Sequence, residues 1–334
     1  MLKRSLWVII LGCMFAAHAH AQMQTRVMPV RVITFPGGAN LPLWIAEDKG
    51  FFAREGLAVK VSPTPNSVVL VQSLMKGEQD IALSAFDNIV AYQEGQGEVA
   101  LEPAPDFFAF MALSHGTVRL VANADNATIA DLKGKTLGVD AIATGYSLVL
   151  MKLLSQAGLK EGDYRLESIG GTAARARALM DGKTPATIIT TPLELAPETR
   201  GFRRLANVID VIGPYQTIVG MARRSWATAN RDALVGFTRA TVTALDWLLD
   251  PANRAEAAAI YRKNMSDVPE AAAAAAVAAM TGEREGFQRG GAFDRQGLVT
   301  VLAIRSEFGK PQKSLTDPAR YVDDGYLRAA TAPR

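Results

Sequence analysis

The feature that most restricts this chain's architecture is an alternation that occurs twice. Short β-branched runs are each followed by a stretch with apolar residues at helical spacing, and the stretch stops at a glycine. Residues 30–35 form the first such run, ended by Pro36-Gly37-Gly38. Residues 41–55 follow with Leu41, Ile45 and Phe52 at helical spacing and Gly56 as the stop, the place where a left-handed residue closes a helix. Strand-like runs at 58–61 and 81–83 alternate with helical runs at 67–76 and 86–94, which end at Gly77 and Gly95. Strands alternating with helices predict a mainly parallel sheet covered by helices.

The rhythm restarts at 118–122 and 136–139. A helical run over 146–157 carries Leu150, Leu153, Leu154 and Ala157 on one side and ends at Gly158. Strand, helix and strand follow at 164–169, 173–180 and 186–190. After about residue 215 the pattern reads as helices only: 231–249 places Leu234, Phe237, Thr241, Leu245 and Leu248 on one stripe, as a helix with one buried face requires. Further helices are expected near 253–263, 268–281, 294–308 and 318–329. Two α/β units and a helical tail predict a two-lobed, type II-like clamp, each lobe a mainly parallel sheet flanked by helices. Residues 22–115 and 216–334 would form lobe 1, with the tail packed back on it. Residues 116–215 would form lobe 2, with crossovers near Ser114-His115-Gly116 and Gly213-Pro214-Tyr215.

Residues 1–21 read as a cleavable export signal. Lys3 and Arg4 precede an apolar run over 6–17, and Ala19-His20-Ala21 places small residues where a signal peptidase reads. The run is shorter than the roughly 20 residues that span a bilayer. Processing at Cys13, in a loose lipobox Ile10-Leu11-Gly12-Cys13, is the alternative. Loss of the leader removes the sole cysteine together with His18 and His20, leaving His115. A disulfide framework and a Cys/His zinc site are thereby excluded. The whole chain has 36 Lys and Arg against 33 Asp and Glu. Losing Lys3 and Arg4 brings these nearly into balance, so charge gives no case for nucleic acid or a membrane surface.

The stretch Leu41-Pro42-Leu43-Trp44-Ile45-Ala46-Glu47-Asp48-Lys49-Gly50-Phe51-Phe52-Ala53-Arg54-Glu55-Gly56-Leu57 resembles the opening signature of periplasmic alkanesulfonate-, taurine- and nitrate-binding proteins, a family that also includes binding proteins for thiamine pyrimidine precursors. Gly77-Glu78-Gln79-Asp80-Ile81-Ala82, Asp131-Leu132-Lys133-Gly134-Lys135-Thr136-Leu137-Gly138-Val139 and Ala178-Leu179-Met180-Asp181-Gly182 resemble its later landmarks, in order. The chain departs from the pattern at Lys183-Thr184-Pro185, where relatives often carry an acidic residue, and at Leu193, where they often carry an aromatic one. The resemblance implies the solute-binding component of an ABC-type importer. Its partners would be a small-molecule ligand and an ABC permease in the inner membrane. A periplasmic monomer is expected, with no cofactor, no metal and no nucleic acid.

Ligands of open α/β sheets bind beyond the carboxyl ends of the strands, so the strand-end loops hold the candidates. Phe35, Gly38 and Asn40 occupy the first loop, whose other reading is an ordinary tight turn. Asn66 and Ser67 either cap the helix they open or donate to a ligand, and both roles can hold together. Ser84, Phe86, Asp87 and Asn88 cluster at the next junction. There Phe86 is a stacking surface and Asp87 an acceptor for an amine or hydroxyl, or the group caps and packs. The resemblance places Thr144-Gly145-Tyr146-Ser147 across the cleft, with Thr144 and Ser147 as donors and Tyr146 as wall. Thr172 and the pair Thr190-Thr191 stand at later strand ends, while His115 and Tyr215 mark the crossovers as ligand contacts or hinge residues. Arg175 and Arg177 read as solvated helix surface. Neutral donors and helix ends, with the aromatic side chains, are therefore expected to hold a small organic ligand: an organic acid, sulfonate or pyrimidine-like heterocycle would each fit, an organic acid or sulfonate being favoured over an inorganic anion.

Two other functions compete. One is an enzyme on this scaffold, a pyrimidine-precursor synthase or an exported dehydratase; such a synthase would be expected to show a cysteine-rich motif and active-site histidines, where only His115 remains, and an acid–base pair from Asp87 and His115 is the other candidate chemistry. A ligand-binding sensor subunit would have the same cleft.

Overall fold

The computed structural model describes residues 27–333. The expected export signal, its cleavage site and Cys13 lie outside the described residues. The strands are β1 (Met28–Thr34), β2 (Leu57–Pro63), β3 (Ile81–Ala85), β4 (Phe107–Ala112), β5 (Ser114–His115), β6 (Val118–Ala122), β7 (Thr136–Val139), β8 (Arg165–Ser168), β9 (Ala186–Thr190), β10 (Arg203–Asn207), β11 (Ile218–Arg223) and β12 (Gly286–Phe287).

Ten of them make two five-stranded sheets, ordered β2-β1-β3-β11-β4 and β10-β6-β9-β7-β8. Read from its other end, the second sheet repeats the first strand for strand. In each, one strand is antiparallel to its neighbours: β11 in the first sheet and β6 in the second. The rest run parallel, β1 pairing β2 from Met28↔Leu57 to Thr34↔Pro63. The mixed α/β architecture expected from the alternation is thus present, and helices cover both sheets. Val30, Val32, Ile81 and Leu83 are buried on one side of the first sheet, while Ile33 and Ala82 face the other cluster. Burial on both faces is the condition under which parallel strands read as continuous apolar runs.

The sheets exchange chain twice, between β4 and β6 and between β10 and β11. The two crossing segments lie side by side. Gln216 Nε2 donates to the Ser114 carbonyl at 2.9 Å, and Thr217 Oγ1 donates to the same oxygen at 2.7 Å. His115 is bridged to Gln216 and sits 3.2 Å from Asp294 through Nδ1. Buried apolar side chains run without a break from Phe86, Ile89 and Val90 into Leu148, Val149 and Leu153, joined by Leu298 and Leu302.

Three sequence expectations need correction. The single helix over 41–55 is two, Leu41–Asp48 and Phe51–Arg54, because Gly50 takes a left-handed φ of 68° between them. The region after 215 is not purely helical, since it contains β11 and β12. Gly220 hides β11 from a pattern reading, and it is small because a Cβ there would stand 2.5 Å from Phe110 Cζ. The last helix is a 3-10 turn at Pro318–Tyr321 and a helix at Gly325–Thr331. Between them Val322 is extended and bridges Ala109, and Asp323 N donates to the Ala109 carbonyl at 2.9 Å. This covers the open edge of β4, which would otherwise present unpaired backbone groups. The tail also does more than pack on the first sheet: helix Arg295–Phe308 touches both Phe86–Gln93 and Gly145–Gln156. Among the described residues, no helix is long and apolar enough to cross a membrane.

Candidate functional site

The carboxyl ends of β1, β3, β7 and β9 converge on one cavity of about 70 Å³ between the sheets. Three helices also start there: Ser67–Met75, Gly145–Gln156 and Thr172–Met180. Their free N–H groups carry positive partial charge toward the space they face. Asn66 caps the first helix by accepting from Val69 N at 2.9 Å. Thr144 does not cap the second; its hydroxyl donates to the Ala141 carbonyl at 2.8 Å.

The walls are apolar at Phe35, Pro36, Leu83, Pro192, Leu193 and Ile218. Two charged side chains, one of each sign, stand among them. Asp140, just beyond β7, accepts from the Ser67 backbone N at 3.3 Å and from the Ser67 hydroxyl. Its second oxygen, Oδ1, is buried with no hydrogen-bond partner among the described residues. Arg175 lies in the first turn of Thr172–Met180 and is 1% exposed. Its Nε donates to the Ile188 carbonyl at 3.2 Å, one terminal nitrogen to the Gly170 carbonyl at 2.7 Å, and the other to Thr172 Oγ1 at 3.1 Å. A guanidinium has five N–H groups, so each terminal nitrogen keeps one beyond these bonds. Burial lowers the Arg175 pKa, while the Asp140 charge and Tyr146 act to raise it. Burial pushes the Tyr146 phenol well above its ordinary value; Arg175 opposes this, and Asp87 and Asp140 add to it. The phenol is therefore a neutral donor at physiological pH. Asn88 Nδ2 donates to Ser84 Oγ at 2.7 Å and reaches Ser67 Oγ at 3.4 Å.

The two units touch around this cavity. Ser67 and Asp140 join them on one side. Gly171 N donates to the Pro65 carbonyl at 2.9 Å on another. A Cβ on Gly171 would stand 2.8 Å from Phe35 Cδ1, and one on Gly145 would stand 2.4 Å from Asp87 Cγ. Neither glycine has a positive φ, so each is small for close approach rather than for its backbone.

Of the residues selected from sequence, Phe35, Gly38, Ser67, Ser84, Asn88, Thr144, Gly145, Tyr146, Thr172, Thr190 and Thr191 line the cavity. The others stand elsewhere. Asn40 braces the first loop, accepting from Thr34 Oγ1 at 2.9 Å and donating to the Phe35 carbonyl at 2.8 Å. Asn66 is the helix cap already described. Phe86 is core and meets Tyr321 edge-on at 6.3 Å between centroids. Asp87 gives both carboxylate oxygens to Arg305, at 2.6 and 2.5 Å. His115 belongs to the crossing segment, and Ser147 is buried with its hydroxyl unpartnered among the described residues. Tyr215 is buried 6.4 Å from the Tyr146 ring, centroid to centroid. Asp87 and His115 do not line the cavity, so they do not assemble there as an acid–base pair.

Asp140 escaped the sequence reading although it follows β7 directly, the same strand-end signal that drew attention to Thr191. The expectation for Arg175 is overturned: it is buried at the cavity, because the helix that carries it starts there and points its first turn inward.

A family model described as NMT1/THI5 like matches residues 39–255. An inferred binding protein of Bacillus subtilis (strain 168), YtlA, is 30% identical over 221 residues, and the match spans 62% of this chain and 62% of that relative's length. Among solved structures, a protein from Bordetella bronchiseptica RB50 superposes with a TM-score of 0.77 at 24% identity, covering 90% of this chain and 96% of the other. The alkanesulfonate-binding protein SsuA from Xanthomonas axonopodis pv. citri, bound to MOPS, superposes with a TM-score of 0.69 at 20% identity, covering 88% of this chain and 98% of that one. Both share the fold of this chain.

Proposed function

The chain belongs to the NMT1/THI5-like family, and from that premise we propose that it is the solute-binding component of an ABC-type importer. It binds a small organic ligand between its two sheet units without transforming it. The units act as lobes, residues 27–115 with 216–333 and residues 116–215, and the periplasm is where such a protein works. The fold shared with an alkanesulfonate-binding protein and the kinship with a binding protein support this reading.

The observation that carries it is that one cavity is lined by both Asp140 and Arg175, charges of opposite sign. Arg175 and three helix N-termini favour an acidic group. An unpaired Asp140 oxygen opposes a bare anion such as nitrate and favours a ligand that also carries an N–H or O–H donor. The ligand class that answers both is a compact organic acid or sulfonate with a donor group on the same molecule.

Native mass spectrometry of the protein purified from periplasm, followed by a thermal-shift screen of the stripped protein, tests this. The panel holds amino- and hydroxy-substituted acids and sulfonates, their unsubstituted parents, and nitrate. Ligand at 100 times its Kd adds about 2.7 kcal/mol of stability, so the substituted acids should raise Tm by several degrees. A flat response to the whole panel sinks the proposal, and turnover of any compound replaces it with an enzyme.

A further inference from the structure

The loop that walls the ligand cavity has a second cavity behind it. Asp140, Thr144 and Gly145 face the first, whereas Ile142 and Ala143, between them in sequence, face the second. The far wall of the second comes from Gln96 and from the end of helix Arg295–Phe308 with the turn after it. Both sheet units therefore contribute. Its volume is about 320 Å³, within the roughly 300–1,000 Å³ of small-molecule pockets.

The wall is mostly apolar, with Leu148, Met151, Tyr164, Leu166 and Phe308 around it. Its polar groups are nearly all satisfied within the protein. Arg305 is committed to Asp87, to the Gln96 carbonyl at 3.3 Å and to the Ala143 carbonyl at 2.8 Å. The exception is Gln96, which is 1% exposed. Its Nε2 donates to the Pro311 carbonyl at 2.7 Å, which fixes the orientation of the amide. Its Oε1 is left buried and without a partner among the described residues. A buried acceptor in that condition is unfavourable, and a bound donor relieves it.

We propose that this cavity is a second small-molecule site, taking a compact, largely apolar compound that carries one N–H or O–H donor for Gln96 Oε1. Lys310 and Glu161, 3.3 Å apart and exposed, form its polar rim. The half-exposed Ile142 marks its entrance.

Indole is the probe, added to the full chain while the Met151 ε-methyl signal is followed by NMR. Saturable displacement of that signal is expected. N-methylindole, which lacks the donor, should bind about tenfold more weakly, the worth of one hydrogen bond to a buried acceptor. Leu166→Trp fills the cavity from β8 and should abolish the response. Should that variant fail to fold, intermolecular NOEs from indole to the Met151 and Leu148 methyls of the unaltered protein decide the matter. The proposal is overturned if Met151 does not respond up to the solubility limit or if the two indoles bind alike. It is equally overturned if Leu166→Trp still binds, or if the NOEs fall on Leu83 in the first cavity.

Discussion

Asp87 gives both carboxylate oxygens to Arg305, whereas Asp140 gives one to Ser67 and keeps the other without a partner among the described residues. Substitution by asparagine should separate these roles. Asp87→Asn strands a fully buried Arg305 without its counter-charge, and loss of one partner of a buried pair costs about 3–5 kcal/mol. Urea denaturation should show that loss. Asp140→Asn keeps the shape and an acceptor for Ser67, so stability should change little. Calorimetry should instead show at least about tenfold weaker binding of donor-bearing ligands; unchanged affinity removes Asp140 from the site. The strand-end loops were legible in the sequence because glycines and hydroxyls collect there. The fate of Asp87 was not, because its partner lies 218 residues away on a helix whose docking no local pattern encodes. Glu194 adds a pH effect. Burial raises its pKa; Thr191, its own backbone, Arg119 and Arg204 pull the other way, but both arginines stand off at 3.9 Å. Between the ordinary carboxylate value and this raised one, the folded chain keeps a proton that the unfolded chain has released. Stability should therefore fall as pH rises through that window. Glu194→Gln should flatten the slope in urea melts from pH 4 to 7, and an unaltered slope means another group is responsible.

Helix Thr172–Met180 approaches the first sheet unit through Gly171, whose φ of −57° any residue adopts. A side chain there acts only through what it touches, Phe35 and the Pro65 carbonyl. Gly171→Val should push the two units apart at that contact. Small-angle scattering should give a larger radius of gyration, and affinity for the first-cavity ligand should drop about tenfold, a change of about 1.4 kcal/mol. An unchanged radius with unchanged affinity means the contact does not hold the units together. Helix Arg295–Phe308 illustrates what a local pattern can and cannot say: a helix was expected near 294–308, but not that it would pack against both units.

Across the whole molecule, the doubled alternation of strands and helices was enough to foresee two mainly parallel sheets. Period and stop signals are local, and parallel sheets need both. The return strand β11 was not foreseen, because it is antiparallel and interrupted by Gly220, so its membership depends on the neighbours β3 and β4. The contacts around the first cavity carry a consequence for timing. Pro65 with Gly171, and Ser67 with Asp140, tie the two units together beside the cavity, so a solute that needs the units to part leaves only when these contacts break. Exit is then a property of the protein's own breathing rather than of the cargo. In stopped-flow displacement, ligands of different affinity should share a ceiling on their off-rates, set by that breathing on the microsecond-to-millisecond scale of hinge motions. Off-rates that climb without limit as affinity falls would mean the gate never closes.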